Sequence, residues 1–263
     1  MKGEPDAYLF GKLYAATHLR SDRWYKLGRT LLYGGLEDEK PFNSVRRLVQ
    51  YEDYALRLLH AAGLPVPEPM GIVEITPERE YLVVMEFFDG AVEIEDAEVD
   101  DAIIDQGLQL IRRLWEAGLA HRDIKPANVL VRDGRLLLID SAFTEVRPSP
   151  WRQAVDLANM MLVLALRSDP KRVYARALVF FNVDEIAEAF AATRGLTMPS
   201  QLRRLMRAQG RDLHAEFKDL LPYPVRPIAI QRWSVRRIGL SFLALIGGTF
   251  AIIIAIEMLG SPL

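Results

Sequence analysis

The sequence predicts an α+β chain, one large domain or two lobes, with short strands and one long helix first, a mainly helical part after them, and an apolar C-terminal helix. Three observations predict it. Short β-type apolar runs occur at Tyr8–Ala15, at Tyr81–Phe88 and on either side of Asp133-Gly134; long stretches of helical periodicity follow residue 101; and Ile238–Ile256 carries no charge. The 263 residues are enough for such lobes with an ample core, and we place their limits at 1–88 and 89–222, with a basic linker at 223–237 and the apolar helix at 238–259. Basic and acidic residues nearly balance (33 against 35), so no nucleic-acid partner is expected. The absence of cysteine excludes disulfides and thiolate metal sites and allows a reducing compartment. Met1–Asp6 has no apolar core and is not a signal peptide.

In chain order, Tyr8–Ala15 reads as a strand, with Lys12 on the same face as Phe10 and Tyr14. Residues 18–40 are polar, broken by Gly28, Gly34 and Gly35, and read as an irregular insertion. Pro41, with Asn43 or Ser44 as cap, opens a helix to about Ala62 that Gly63 stops. Val45, Leu48, Leu56 and Leu59 form its apolar stripe. Glu52 lies on that stripe, whereas Asp53 is rotated away and can pair with Arg57 at i+4. A carboxylate on a buried stripe is costly unless a cation meets it.

Pro65–Pro69 is a stiff connector, and Tyr81–Gly90 is a buried strand ending in a glycine turn. Residues 91–100 are acidic and read as a solvated linker. Ala102–Gly118 is an amphipathic helix with Ile103, Leu110, Leu114 and Trp115 inward. His18, His60 and His214 have no partner at ligand spacing and read as surface or core histidines. Residues 171–220 read as three short helices, punctuated at Gly195, Pro199 and Gly210.

The chemistry concentrates at His121–Leu130. Asn128–Val131 and Leu136–Ile139 are two apolar runs about Asp133-Gly134, the strongest short-range hairpin signal. With that turn, paired positions sum to 267, which sets 128 opposite 139 and 127 opposite 140. Asn128 and Asp140 then come side by side on strands about 5 Å apart. A carboxylate and an amide oxygen there suit a hard cation such as Mg²⁺. Asp123 and Lys125 lie on the loop entering the hairpin, one a proton acceptor, the other a cation for a transferring phosphoryl group.

This string, His121-Arg122-Asp123-Ile124-Lys125-Pro126-Ala127-Asn128 with Asp140 beyond, resembles the catalytic loop and metal-binding Asp of the protein-kinase superfamily. The resemblance extends over about residues 8–166 and implies a two-lobed kinase-like fold using ATP and Mg²⁺. It implies Asp123 as the group that orients and deprotonates the acceptor hydroxyl, Lys125 on the γ-phosphate, and Asn128 and Asp140 on the metal. A strand Lys paired with a helix Glu would hold the α- and β-phosphates: Glu52 fits the helix position, and Lys12, within an apolar strand, is preferred over Lys26. Tyr81–Gly90 is similar to the kinase hinge, which sets Met85 behind the adenine and Glu86–Phe88 along its edge. His121 would be a packed histidine under the loop, and Arg122 would hold either the residues after Asp140 or a phosphorylated loop.

Two departures from the superfamily pattern follow. Only 11 residues precede Lys12, so either the chain starts late or its glycine-rich lid is missing. Only 15 residues separate Asp140 from Asp156, with Ser-Ala-Phe after Asp140 and no Ala-Pro-Glu. The segment is similar to that of atypical RIO-type kinases and of lipopolysaccharide or small-molecule kinases, as is the Glu helix with its Gly63-Leu64-Pro65-Val66-Pro67 connector. Lys125, by contrast, is the residue of ordinary Ser/Thr kinases.

The 19 uncharged residues Ile238–Ile256 make about 28 Å of helix, close to the hydrocarbon thickness of a bilayer. Arg226, Arg232, Arg236 and Arg237 precede them with Trp233, and nothing basic follows. A transmembrane anchor is expected, with the preceding domain cytoplasmic by the positive-inside rule. The expected protein is therefore a single-pass, membrane-anchored phosphotransferase. Its partners would be ATP, the lipid bilayer, and a protein Ser/Thr hydroxyl or else a lipid, glycan or small-molecule hydroxyl. A pseudokinase module is the third reading.

Overall fold

The strand expected at the N-terminal end is β1 (Leu9–Tyr14) in a computed structural model that describes residues 8–15, 42, 44–77, 79–193, 197–225, 239–240 and 242–249. Lys26, the insertion at 18–40 and the basic residues of 226–237 lie outside the described residues. The chain divides into two units, 1–19 with 43–228, and 20–42 with 229–263.

In the first unit, helix α1 (Val45–Ala61) begins where Ser44, extended at φ −145°, accepts the Arg47 N–H on its hydroxyl, and it stops ahead of left-handed Gly63. Its stripe is buried as its spacing requires: Val45, Leu48, Leu56 and Leu59 with Glu52 among them, while Asp53 pairs with Arg57 at 2.8 Å on the open side. The helix covers an antiparallel sheet ordered β1–β3–β2, where β2 is Pro69–Thr76 and β3 is Glu80–Glu86. Proline at the start of an edge strand leaves no ladder donor missing, so the stiff connector ends one residue earlier than its composition suggests. Strand β3 alternates buried Tyr81, Val83 and Met85 with half-buried neighbours and ends at Glu86, not at Gly90.

Residues 91–100 are not a solvated linker. Val92–Glu93 forms β4 against β6 (Val129–Arg132), and Ile94, Ala97 and Val99 are buried. Three apolar side chains spaced among acidic ones sufficed to fix the segment, a pattern that acidic composition conceals. Asp100 then caps α2 (Asp101–Glu116) by accepting the Ile103 N–H at 2.9 Å. Ile103, Leu110 and Leu114 face the core, while Trp115 is only half-buried and meets Phe181 edge-on at 5.2 Å.

Strand β5 (Leu119–Ala120) pairs with β8 (Glu145–Val146), and β6 pairs with β7 (Arg135–Leu138) about the Asp133-Gly134 turn. Both turn residues have positive φ, 49° and 70°, as a two-residue turn of this type demands. The register Val129↔Leu138 to Arg132↔Arg135 keeps the sum of 267.

Helix α3 (Pro150–Ala165) is apolar almost all round and forms the centre of a helical cluster, contacting α2, α4 (Pro170–Phe180) and α5 (Val183–Ala192). The rest is α6 (Ser200–Ala208) and α7 (Leu213–Leu220), so the region from 170 to 220 holds four helices, not three. The unforeseen break is a capping box. Asn182 accepts the Glu185 N–H at 2.8 Å and its own N–H meets Glu185 Oε2 at 2.9 Å, with neither Gly nor Pro to announce it.

In the second unit, residues 239–240 and 242–249 are helical, with Leu240, Phe242, Leu243, Leu245 and Ile246 all exposed. No helix among the described residues is long and apolar enough to cross a membrane, and much of the expected span at 238–259 lies outside them.

Candidate active site

The loop His121–Asn128 is held from both sides before any of its polar groups is used. His121 and Ile124 are buried, which turns Asp123 and Lys125 to the half-buried side. Arg122 takes the left-handed conformation (φ 68°), uncommon for a residue with a Cβ. Asp156 of α3 stabilises it by accepting the His121 N–H on Oδ2 at 2.6 Å and the Arg122 N–H on Oδ1 at 2.9 Å. Burial pushes the Asp156 carboxyl up to about 7, and the two N–H groups oppose that rise. Burial likewise pushes the His121 imidazole below its ordinary value.

Pro126 opens a single 3₁₀ turn, Pro126–Asn128, which delivers Asn128 to the head of the hairpin. The Asn128 amide donates to the Asp123 carbonyl at 2.9 Å and to Asp123 Oδ2 at 3.0 Å, and Lys125 Nζ meets the same Oδ2 at 2.6 Å. Asp123, Lys125 and Asn128 therefore form one knot. The next residue of the loop is tied as well, since the Ala127 N–H reaches Gln201 Oε1 of α6 at 3.2 Å.

The hairpin continues to the position of Asn128, whose carbonyl accepts the Ile139 N–H at 3.0 Å, but not to 127 opposite 140. Asp140 is left-handed (φ 66°, ψ 72°), which turns the chain out of the ladder before that pair can form. Its carboxylate meets Lys12 Nζ at 2.8 Å. Lys12 Nζ also meets Glu52 Oε1 at 2.9 Å, and the Tyr14 hydroxyl donates to Glu52 Oε2. Glu52, 1% exposed, thus has a cation and a donor for its two oxygens, which answers the cost of a carboxylate on the apolar stripe. Burial works against the Lys12 ammonium, but Glu52, with Asp140, outweighs it and holds the ammonium above the ordinary lysine range. Burial would likewise raise the Asp140 carboxyl; Lys12 more than offsets it and holds that group below its usual range.

Met85 is buried in β3, opposite Phe10 and Pro69. The Glu86 N–H is committed to the Glu68 carbonyl at 2.9 Å and the Phe87 N–H to the Tyr8 carbonyl at 3.3 Å, because β3 runs between two partners to its end. Phe88 is buried, with the Arg132 guanidinium 5.3 Å from its ring centre. Beyond Asp140, Arg122 is directed to Glu145 at 3.4 Å, joined there by Arg152 at 3.0 Å, so it holds the residues after Asp140. Tyr51 of α1 donates to the Thr144 carbonyl at 2.7 Å, fixing the helix that carries Glu52 to the same segment.

A family model for the RIO domain matches residues 17–174. The chain belongs to the RIO domain family. It is accordingly an atypical, protein-kinase-like, ATP-binding phosphotransferase in general terms. Glu52, Met85, Asp123, Asn128 and Asp140 lie inside the matched span, whereas Lys12 lies just ahead of it. A search of curated proteins finds no match to this RIO chain.

Sequence reasoning missed Tyr14, Asp156 and Gln201. Tyr14 had a signal, two positions beyond Lys12 on one strand face. Asp156 had another, a lone carboxylate between Val155 and Leu157 on an apolar helix, the same anomaly that singled out Glu52. Gln201 had none, because its partner lies 74 positions away.

The RIO domain suggests a divalent metal in general terms, and the donor set fits Mg²⁺. Asp140 supplies a carboxylate and Asn128 an amide whose nitrogen is already bound to Asp123, leaving the oxygen as ligand atom. Among the described residues no three His, Cys, Asp or Glu side chains form a metal-holding group. Mg²⁺ does not need one, since it keeps waters and takes phosphate oxygens beside one or two protein ligands.

Proposed function

We propose that this RIO domain transfers the γ-phosphoryl group of ATP to a Ser/Thr hydroxyl of a protein at the cytoplasmic face of a membrane. The observation that carries the proposal is the knot of Asp123, Lys125 and Asn128 next to the Lys12–Glu52–Asp140 chain. These contacts support a site with a carboxylate base, two ammonium groups and two oxygen donors. Lys12, oriented by Glu52, leaves Asp140 for the α- and β-phosphates, which frees the carboxylate for metal. Met85 lies behind the adenine, and the Glu86 carbonyl with the Phe88 N–H forms its polar edge. Asp123 orients the acceptor hydroxyl and receives its proton, and Lys125 moves from Asp123 to the γ-phosphate as negative charge grows there. Asn128 and Asp140 would hold Mg²⁺, which would supply positive charge against the phosphates.

The test is phosphotransfer from Mg-ATP with autophosphorylation sites mapped by mass spectrometry. Asp123→Asn should lower the rate about 10²–10⁴-fold, the usual contribution of a positioned base. An undiminished rate would sink the assignment.

The short segment between Asp140 and α3 favours a second acceptor class, a lipid, glycan or small-molecule hydroxyl, because little chain is left to cradle a peptide. Active protein with no phosphorylated Ser or Thr on itself or on added protein would select it. The membrane location rests on the uncharged run Ile238–Ile256, on the basic residues before it and on the exposed apolar side chains of residues 240–246.

A further inference from the structure

A cavity of about 320 Å³ lies between α6 and the start of α7. Its apolar lining is Met198 and Met206, both buried, and its polar lining includes Arg203 and Arg207, one turn apart on α6, with Arg211 and His214 beyond. The acidic groups nearby are already occupied. Asp212, also in the lining, caps α7 by accepting the Ala215 N–H at 3.1 Å, and Glu216 takes Arg211 at 2.9 Å. Arg203 and Arg207 have no acidic partner among the described residues, and the Arg203 Nε is buried there without a hydrogen-bond partner. A buried guanidinium donor left unmet is destabilising, and an anion in the cavity would remove that cost.

We propose that this cavity is a binding site for a phosphate ester, separate from the phosphotransfer centre. The two unpaired guanidinium charges match the charge of a phosphate monoester, about −1.5 to −2 at neutral pH. Their planar forks suit its oxygens in pairs, as an ammonium would not. The two methionines provide adaptable apolar surface for the group the ester carries. The site stands whether or not the chain transfers phosphate. If it does, α6 ties the two together, because Gln201 on the same helix holds the catalytic loop at Ala127.

The ligand is either a soluble phosphate ester or a lipid headgroup, and titration calorimetry of the full chain without ATP or metal separates them. The probes are glycerol 3-phosphate and dihexanoyl phosphatidate below its micellar concentration. At least one should bind with a dissociation constant of about 1 mM or tighter. R203Q/R207Q should weaken it about tenfold or more, whereas R204Q/R135Q, the same charge change at exposed arginines outside the cavity, should leave it within about twofold. Phosphatidate binding about tenfold tighter than glycerol 3-phosphate assigns a lipid headgroup, and equal affinities assign a soluble ester. If R203Q/R207Q fails to fold, R207Q alone, at an exposed position, should still weaken binding about threefold. Absence of binding by both probes, or equal losses in the two double variants, overturns the proposal.

Discussion

Lys12 is shared between two carboxylates, and that sharing decides which side chains the site can release. Glu52 is buried and has Tyr14 as a second partner, whereas Asp140 is more exposed and, among the described residues, forms its ion pair with the lysine. In the proposed mechanism, incoming phosphates would therefore displace Asp140 from Lys12 more easily than Glu52. Glu52→Gln removes the charge that orients Lys12 and keeps the shape. Its kcat/KM for ATP should fall about tenfold or more, as expected for one charge-assisted hydrogen bond of ~1.5–3 kcal/mol; unchanged steady-state kinetics would refute this role. His121 gives a pH prediction. Its folded pKa is pushed below the unfolded value of 6.5 by burial, so the unfolded chain binds a proton that the folded chain does not. Stability from this group is present above pH 6.5 and is lost as pH falls toward the folded value, by up to about 1.4 kcal/mol per pH unit. Asp156, raised to about 7, acts in the opposite sense by favouring proton uptake in the folded state. The measurement is therefore the difference in melting temperature between wild type and His121→Gln across pH 5–7.5: the gap should narrow toward acid, and a constant gap would refute it.

At the scale of elements, α3 acts as the post to which the His121–Asn128 loop is fixed. Asp156 is on that helix, its two acceptor bonds hold backbone in a left-handed turn at Arg122, and the helix itself is immobilised by burial. Asp156→Ala leaves two buried N–H groups unmet and should destabilise the protein by about 2–6 kcal/mol, with phosphotransfer reduced beyond what the folded fraction explains. Asp156→Asn keeps one acceptor and should recover part of both. Equal denaturation midpoints for Ala and wild type would rule the post out. The hairpin does the same work by register: Asp133-Gly134 fixes Val129↔Leu138, and this register carries Asn128 to the loop. The sequence carried that register in full, because a two-residue turn and the two-residue side-chain period leave no other choice. It did not carry Asp140, whose positive φ is a property of one residue's neighbours and not of a pattern.

For the whole molecule, Lys12, Glu52, Asp123, Asn128 and Asp140 all fall in the first unit, and residues 239–240 and 242–249 of the second are helical. The membrane proposal belongs to this scale. Removal of residues 238–263 should move the protein from the membrane pellet to the supernatant after carbonate extraction, with Mg-ATP binding by the remaining chain kept within about twofold. Full-length protein that is extracted by carbonate would overturn the anchor. The fold class and the order of elements were legible from periodicity, caps and the hairpin turn. The acidic stretch at 91–100 and the break at Asn182 were not, because composition hides a few buried residues and a capping box needs no glycine or proline.

By itself the sequence determined the mixed plan of a small sheet and several helices, the register around Asp133-Gly134, and the suspicion that Glu52 needs a cation. Each of these follows from local spacing, where a period of 2 or 3.6 fixes which side chains share a face. Only the tertiary structure decided that Lys12 is that cation, that Tyr14 meets Glu52 and Asp156 holds the loop, and that Asp140 meets Lys12. Those pairings join residues 40 and 128 positions apart, and no local pattern encodes them. They are set when α1 closes over the sheet and α3 is buried, because desolvated carboxylates must then find the cations and N–H groups that packing brings within reach.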